Sequence, residues 1–329
     1  MKYGKFHAAL VTALIAALVT ICSCASDPGS GNKYDEDYLA KLMQNFVISI
    51  SKYARSIKPG FIIIPQNGSE LAFHDTNPGV ANIMDNYVKA IDGIGIEELF
   101  YNGSLDIDRE RLANLNILKT RVGRIMVSDL VSDTGNIPNA IQRNTDCGFI
   151  AFPRSQSNLH YGTIPAYIPD IHTDGISKLS EARNYLYLIN ADNYADKNSL
   201  LAAVKNTNFD VVLIDLFFIK DDTDIFTADD VLQLKTKKSG GKRLVISYIN
   251  IGSIESFRYY WKPEWKKGSP SWIVKNYQGY PDEYWIEYWH PDWMNIIYGN
   301  DNSYIKKIID AGFDGAYLDN TEAYYSLAH

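Results

Sequence analysis

A chain of 329 residues, 46% of them hydrophobic, can build a sizeable core, either as one large α/β domain or as two small ones. Its formal charge of −7 becomes −9 if the leader lysines Lys2 and Lys5 are removed, which argues against a nucleic-acid partner, since that needs a basic surface. The six histidines sit at no metal-binding spacing, and there is neither a glycine-rich phosphate loop nor a Gly-x-Ser-x-Gly elbow, so no metal or cofactor is expected, and metalloprotease, nucleotide-binding and serine-hydrolase chemistries fall away.

The chain opens with Lys2 and Lys5, then an apolar run from Ala8 to Val19 broken only by Thr12, then Ile21-Cys22-Ser23-Cys24. The run is too short for a spanning helix, which needs about 20 apolar residues, and suits a signal peptide. The tetrapeptide resembles a bacterial lipobox, with Cys24 as the lipidated first residue of the mature protein. Residues 1–23 are therefore expected to be a lipoprotein signal peptide, 24–34 a flexible lipidated tether and 35–329 one domain. The expected location is the bacterial cell envelope, periplasmic or cell-surface, with membrane contact through the lipid at Cys24. Cys22 would leave with the signal, so Cys147 has no internal disulfide partner. Its place ahead of the apolar run 148–152 predicts a buried, inert thiol.

An amphipathic helix over about 37–56 precedes any strand. Eight short apolar runs, rich in β-branched and aromatic residues, then follow at 61–65, 94–100, 124–130, 148–152, 185–190, 211–217, 243–250 and 315–319. Their continuous apolar character predicts strands buried on both faces. Helical patterns lie between most of them, clearest at 80–91, 109–119, 199–206 and 228–237; the connection 155–183 shows no clear helix. Alternating strand and helix predicts a parallel sheet, and eight such strands predict a (β/α)₈ barrel. Only residues 321–329 follow the last strand, so the opening helix can complete the unit that strand begins. This is the pattern of a circularly permuted barrel.

In this fold chemistry sits at the C-terminal ends of the strands. Those ends carry Gln66 and Asn67, Glu97 and Glu98, Asp129, Asn190 and Asp192, Asp215, Tyr248 and Asn250 with Glu255 beyond, and Asp319 and Asn320. A carboxylate in an apolar strand is costly unless paired or needed. For Asp215 the alternative is a buried partner for Arg243 or another strand cation. All six tryptophans, from Trp261 to Trp293, follow the seventh strand, with tyrosines interleaved, and would overhang the same face. Aromatic rings that stack on sugar C–H faces, beside amides and carboxylates that bind hydroxyls, suit a glycan cleft. Trp285, Trp289 and Trp293 have helical spacing, but Pro291 predicts a loop up to His290 and a helix after it.

Several segments carry a family resemblance: Asn184-Tyr-Leu-Tyr-Leu-Ile-Asn190, Phe209-Asp-Val-Val-Leu-Ile-Asp215, Tyr248-Ile-Asn-Ile-Gly-Ser-Ile-Glu255 with Arg258-Tyr-Tyr-Trp261, and Gly312-Phe-Asp-Gly-Ala-Tyr-Leu-Asp319. Together they resemble the endo-α-1,4-polygalactosaminidases, glycoside hydrolase family 114. Phe61-Ile-Ile-Ile-Pro-Gln-Asn-Gly68, Gly93-Ile-Gly-Ile-Glu-Glu-Leu-Phe100 and Ile125-Met-Val-Ser-Asp129 extend the resemblance into the first half. In the family's arrangement the Asn184 segment comes first, so this order is permuted.

The resemblance implies hydrolysis of an extracellular polysaccharide, such as an α-1,4-linked galactosamine polymer, by two carboxylates. Asp215 matches the family's strand aspartate. Glu283, in Tyr280-Pro-Asp-Glu-Tyr-Trp285, is similar to the glutamate of a Trp-x-Gly-Glu-x-Trp motif, with Asp282 in place of the glycine. Asp215 is the expected ionised carboxylate and Glu283 the acid/base, with Glu255 and Glu287 as rivals. Gln66, Asn67, Glu97, Asp129, Asn190, Tyr248, Glu255, Arg258, Trp285, Asp319 and Asn320 are the expected sugar-binding residues. The other reading is a barrel lipoprotein that binds glycan without cutting it.

Overall fold

The computed structural model describes residues 34–156, 160–218 and 224–329. The lipobox, Cys24 and the tether up to residue 33 lie outside the described residues. None of the described helices is long and apolar enough to cross a membrane.

Helix α1 (Glu36–Ile57) comes first. Asp35 caps it by accepting from the Tyr38 N–H, and Leu39, Met43, Phe46, Val47, Ile50 and Ala54 form its buried stripe. Strand β1 (Ile62–Pro65) follows, then α2 (Asp85–Ala90), β2 (Gly93–Leu105), α3 (Arg109–Leu118), β3 (Arg124–Val131), α4 (Ile137–Cys147) and β4 (Ile150–Ala151). The next elements are β5 (Tyr185–Leu188), α5 (Lys197–Lys205), β6 (Val211–Asp215), α6 (Ala228–Leu234) and β7 (Leu244–Asn250). After β8 (Ser253–Glu255), β9 (Ile273–Asn276) and β10 (Glu283–Ile286) come α7 (Pro291–Ile297), α8 (Tyr304–Asp310), β11 (Gly315–Asp319) and α9 (Ala323–Ala328).

Each of the eight apolar runs contains a strand, and these strands pair in parallel. One sheet has the order β1-β11-β7-β6-β5 and another β2-β3-β4. A parallel bridge from Gln66 to Gly95 joins the two at β1 and β2. Gly95 must be glycine there, because a Cβ would lie 1.9 Å from the Tyr317 hydroxyl. At the other margin no backbone pairing joins β4 to β5 among the described residues. The Phe152 ring fills that margin, 5.6 Å from the Tyr185 ring and 6.4 Å from that of Tyr187. The protein is thus α/β with parallel sheets.

The first and last elements meet as the sequence order implies. Strand β11 lies between β1 and β7, and α1 packs on α2, α8 and α9. The connection 155–183 carries the short 3-10 turn Leu179–Glu181. The tryptophan-rich segment differs from the expected loop: β8, β10 and β9 form an antiparallel sheet there. Cross-strand aromatic packing supports it, with Tyr277 stacked on Trp285 at 4.0 Å. Helix α7 starts where Pro291 predicts, with His290 as its N-cap. Cys147, the last residue of α4, is half-buried rather than buried.

Three aspartates brace the N-terminal ends of the strands. Asp92 accepts from the Ile63 N–H and Arg55, and Asp314 from the Val245 N–H and Lys235. Asp210 accepts from the Arg183 N–H, from His172 and from Lys237, whose side chain is fully buried with it. Each carboxylate ties a strand's start to a neighbouring backbone and a cation, so its charge is compensated where it is buried. Arg243, by contrast with the alternative considered for Asp215, spends its guanidinium on Thr207 and on the Thr236 carbonyl.

Candidate active site

The opposite ends of the strands carry a denser group of acids. Asp215 ends β6 and is buried. The Arg258 guanidinium grips it with two bonds, of 3.1 and 2.6 Å, and the Phe217 N–H adds a third at 3.0 Å. Arg258 also donates to Glu255 at 2.8 Å through its Nε. One buried cation therefore serves two buried carboxylates, with Asp215 9%, Glu255 4% and Arg258 6% exposed. Burial works against the charge on Arg258, but Asp215 and Glu255 outweigh it, and the guanidinium is held charged.

Glu283 opens β10 directly opposite Glu255 in β8. Its Oε2 accepts from the Ser253 hydroxyl at 2.9 Å and from the Asn250 amide at 3.3 Å. Burial, and then the neighbouring Glu255, push its carboxyl up to about 8. Glu287, just after β10, accepts from Tyr34, just ahead of α1.

Asp319 ends β11. It accepts from the Tyr248 hydroxyl and from the Asn320 N–H. Burial, with Glu97 facing it, raises it to about 7. Glu97 accepts from Tyr161, and burial raises it too, against the pull of Tyr161 and Arg154. Arg154 pairs with Glu98 at 2.7 Å and donates to the Tyr161 hydroxyl at 3.0 Å. Beneath these groups Tyr161 stacks on Tyr187 at 3.8 Å, and Tyr187 donates to Gln66 at 3.0 Å.

Amides line the rim. Asn320 donates to Ser253 at 3.1 Å and accepts from the Tyr277 hydroxyl at 3.2 Å. Asn67 accepts from the Glu97 N–H at 3.1 Å and from Arg111 at 3.3 Å. Asn67, Glu98 and Asn320 all have positive φ, at 58°, 56° and 59°. Non-glycine residues seldom adopt this backbone, and such residues cluster at functional sites. Two expected sugar ligands have other work. Asp129 lies beneath the irregularity of β2, where its carboxylate takes the N–H groups of Phe100 and Tyr101 and the Asn144 amide. Asn190 accepts from the Asp192 N–H in a turn, and its own N–H bonds the Tyr161 carbonyl. Trp285 is buried under Tyr277, which leaves Tyr277 as the more exposed ring of the pair.

Sequence reasoning did not single out Ser253, Arg154, Tyr161 or Glu322. Glu322 is also raised to about 7, by burial and then by Glu70. Ser253 could have been found, because its spacing from Asn250 suits an Asx-type turn, and Asn250 does accept from the Ser253 N–H at 3.0 Å. Arg154 and Tyr161 lie in a connection with no periodicity to read.

Residues 177–328 match the family model described as glycoside-hydrolase family GH114, as the sequence resemblance implies. The match encloses Asp215, Glu255, Arg258, Glu283 and Asp319 and leaves Gln66, Asn67 and Glu97 outside it. An uncharacterized protein of Methanocaldococcus jannaschii is 33% identical over 153 residues, 46% of this chain and 41% of the relative. One of Thermotoga maritima is 28% identical over 131 residues, 40% of this chain and 38% of the relative. The chain thus spans about two-fifths of the length of these relatives.

The raised carboxyls set a pH dependence of stability. Glu283, Asp319 and Glu322 hold protons to about 8, 7 and 7 when folded, against roughly 4 when unfolded. Between those limits the folded state binds more protons, so their contribution is complete below about pH 4 and is lost as pH rises towards 8. Thermal melts should therefore show Tm falling steadily from pH 5 to pH 8. A Tm that is flat or rises through that window contradicts the assignment.

Proposed function

We propose that the chain, with its GH114-like second half, is an exported lipoprotein that hydrolyses glycosidic bonds of an extracellular polysaccharide. The observation that carries this reading is the contrast between two neighbouring environments. Asp215 is an ion-paired carboxylate on Arg258, while Glu283 sits opposite another carboxylate, has no cation among its hydrogen-bond partners in the described residues and keeps its proton to about 8. Carboxyl groups whose surroundings push their proton affinities apart are suited to divided acid and base roles. In this mechanism Glu283 gives its proton to the bridging oxygen as the C–O bond breaks. Asp215 either attacks the sugar carbon or activates the water that does; water then supplies the hydroxyl of the product and returns the proton. Tyr277 offers a ring face to a sugar, and Asn320 and Asn67 offer amides to its hydroxyls. The excess of acids over arginines favours a polymer with protonated amines, such as an α-1,4-linked galactosamine polymer.

The two parallel sheets support the further reading of one permuted (β/α)₈ barrel, closed by side chains such as Phe152 between β4 and β5. A crystal structure with an open, water-filled gap at that margin would contradict it.

The assay is product release from partially deacetylated polygalactosamine. Asp215→Asn and Glu283→Gln should each lower kcat by about 10²-fold or more, with folding intact by circular dichroism. The wild-type kcat should fall above pH of about 8, as Glu283 loses its proton. Binding of the polymer without product from wild type would favour the non-catalytic reading, and equal turnover by wild type and both variants would sink the mechanism.

Export on a lipid is tested separately. The full chain expressed in a bacterial host should partition with membranes and carry a diacylglyceryl group at Cys24, and Cys24→Ala should release it. An unmodified, soluble wild-type protein would contradict the anchor.

A further inference from the structure

We propose that Glu255 is a positioning residue whose charge keeps the proton on Glu283. The inference rests on the reading of Glu283 as proton donor and assigns a role to its neighbour. Strands β8 and β10 pair antiparallel, with Glu255 directly opposite Glu283. Directly opposed residues in such a pair have Cβ atoms about 4.5–5.5 Å apart, and like charges there repel. Glu255 cannot relieve the repulsion by moving away, because Arg258 holds it at 2.8 Å and is itself held by Asp215.

The other groups facing Glu283 do not supply this effect. Ser253 and Asn250 donate to its Oε2 and so favour the charged form. Arg258 also favours the charged form, but among the described residues it bonds Asp215 and Glu255 rather than Glu283. Asp319 on β11 acts in the same direction as Glu255 but less strongly. Tyr248 and Tyr277, the phenols nearby, are held neutral by burial. Glu255 is thus the carboxylate that reserves the proton: one guanidinium shared between Asp215 and Glu255 leaves part of their negative charge uncompensated beside Glu283. A further consequence follows for the rivalry between the two glutamates. A carboxylate bonded to a buried guanidinium is poorly placed to donate a proton, so Glu255 is not the acid.

The test uses the carboxyl carbon signal of Glu283 in the full chain labelled with ¹³C-glutamate, assigned by its absence from Glu283→Gln. It needs no substrate, so it stands apart from whether the protein cuts glycan. Glu255→Gln removes the opposing charge, and the Glu283 midpoint should fall by about one pH unit or more. Glu255→Asp keeps a charge one methylene further back and should give a smaller fall. If Glu255→Gln does not fold, the Glu255→Asp midpoint decides: a fall supports the role and an unchanged midpoint overturns it. An unchanged midpoint in a folded Glu255→Gln overturns it too. With an active substrate in hand, the alkaline limb of kcat for Glu255→Gln should move down by the same shift. Loss of activity at every pH would overturn the proposal, since Glu255 would then be a reacting group. Inactivity of the wild type on glycans alongside the expected shift would remove the hydrolase reading only.

Discussion

Arg258 is a single buried cation shared by two buried carboxylates, and the arrangement of the site follows from that sharing. Desolvating charges is expensive, and a buried ion pair recovers the cost only with good geometry and further hydrogen bonds. Here Arg258 reaches Asp215 through both terminal nitrogens and Glu255 through its Nε. The price is that a third acid, Glu283, is left beside Glu255 with only neutral donors in hydrogen-bond contact among the described residues. It answers by keeping its proton. The same guanidinium therefore holds one carboxylate in an ion pair and leaves another beside a like charge, an asymmetry suited to acid-assisted bond cleavage.

The fold separates two uses of aspartate and glutamate. At the N-terminal ends of the strands Asp92, Asp210 and Asp314 are each matched to a cation and a backbone N–H. At the C-terminal ends Glu97, Glu283, Asp319 and Glu322 outnumber the arginines that could neutralise them, and all four are raised. A cationic ligand would be favoured among such acids, since its charge would draw off the protons that they hold. The cost of these acids in stability is the pH dependence of folding.

The strands were legible because both-face burial writes itself as unbroken apolar runs, such as Ile62–Pro65 and Val211–Asp215. The opening helix was legible from its 3.6-residue stripe, and the start of α7 from Pro291. The antiparallel sheet β8-β10-β9 was not, because its strands are only three or four residues long and lack the alternation of a one-sided sheet. Of the site, Asp215, Glu255 and Asp319 could be read as acids near strand ends, and Glu283 only through its resemblance to a family motif. Their division of labour could not, since it depends on which of them Arg258 reaches. Asp129 shows the converse: a strand-end acid by sequence, it is consumed by the N–H groups that the β2 irregularity leaves free. Arg154 and Tyr161 come from a segment whose position is set by tertiary contacts with β2, β3 and β5.

The central claim is that Glu283 meets the bond that breaks. It is tested most directly by the crystal structure of Glu283→Gln with a bound galactosamine oligosaccharide. The account predicts a bridging oxygen within hydrogen-bonding distance of the residue 283 amide, with Asp215 on the other side of the sugar carbon and a ring against Tyr277. An oligosaccharide whose bridging oxygens all lie away from residue 283, or one bound outside this cleft, would contradict it.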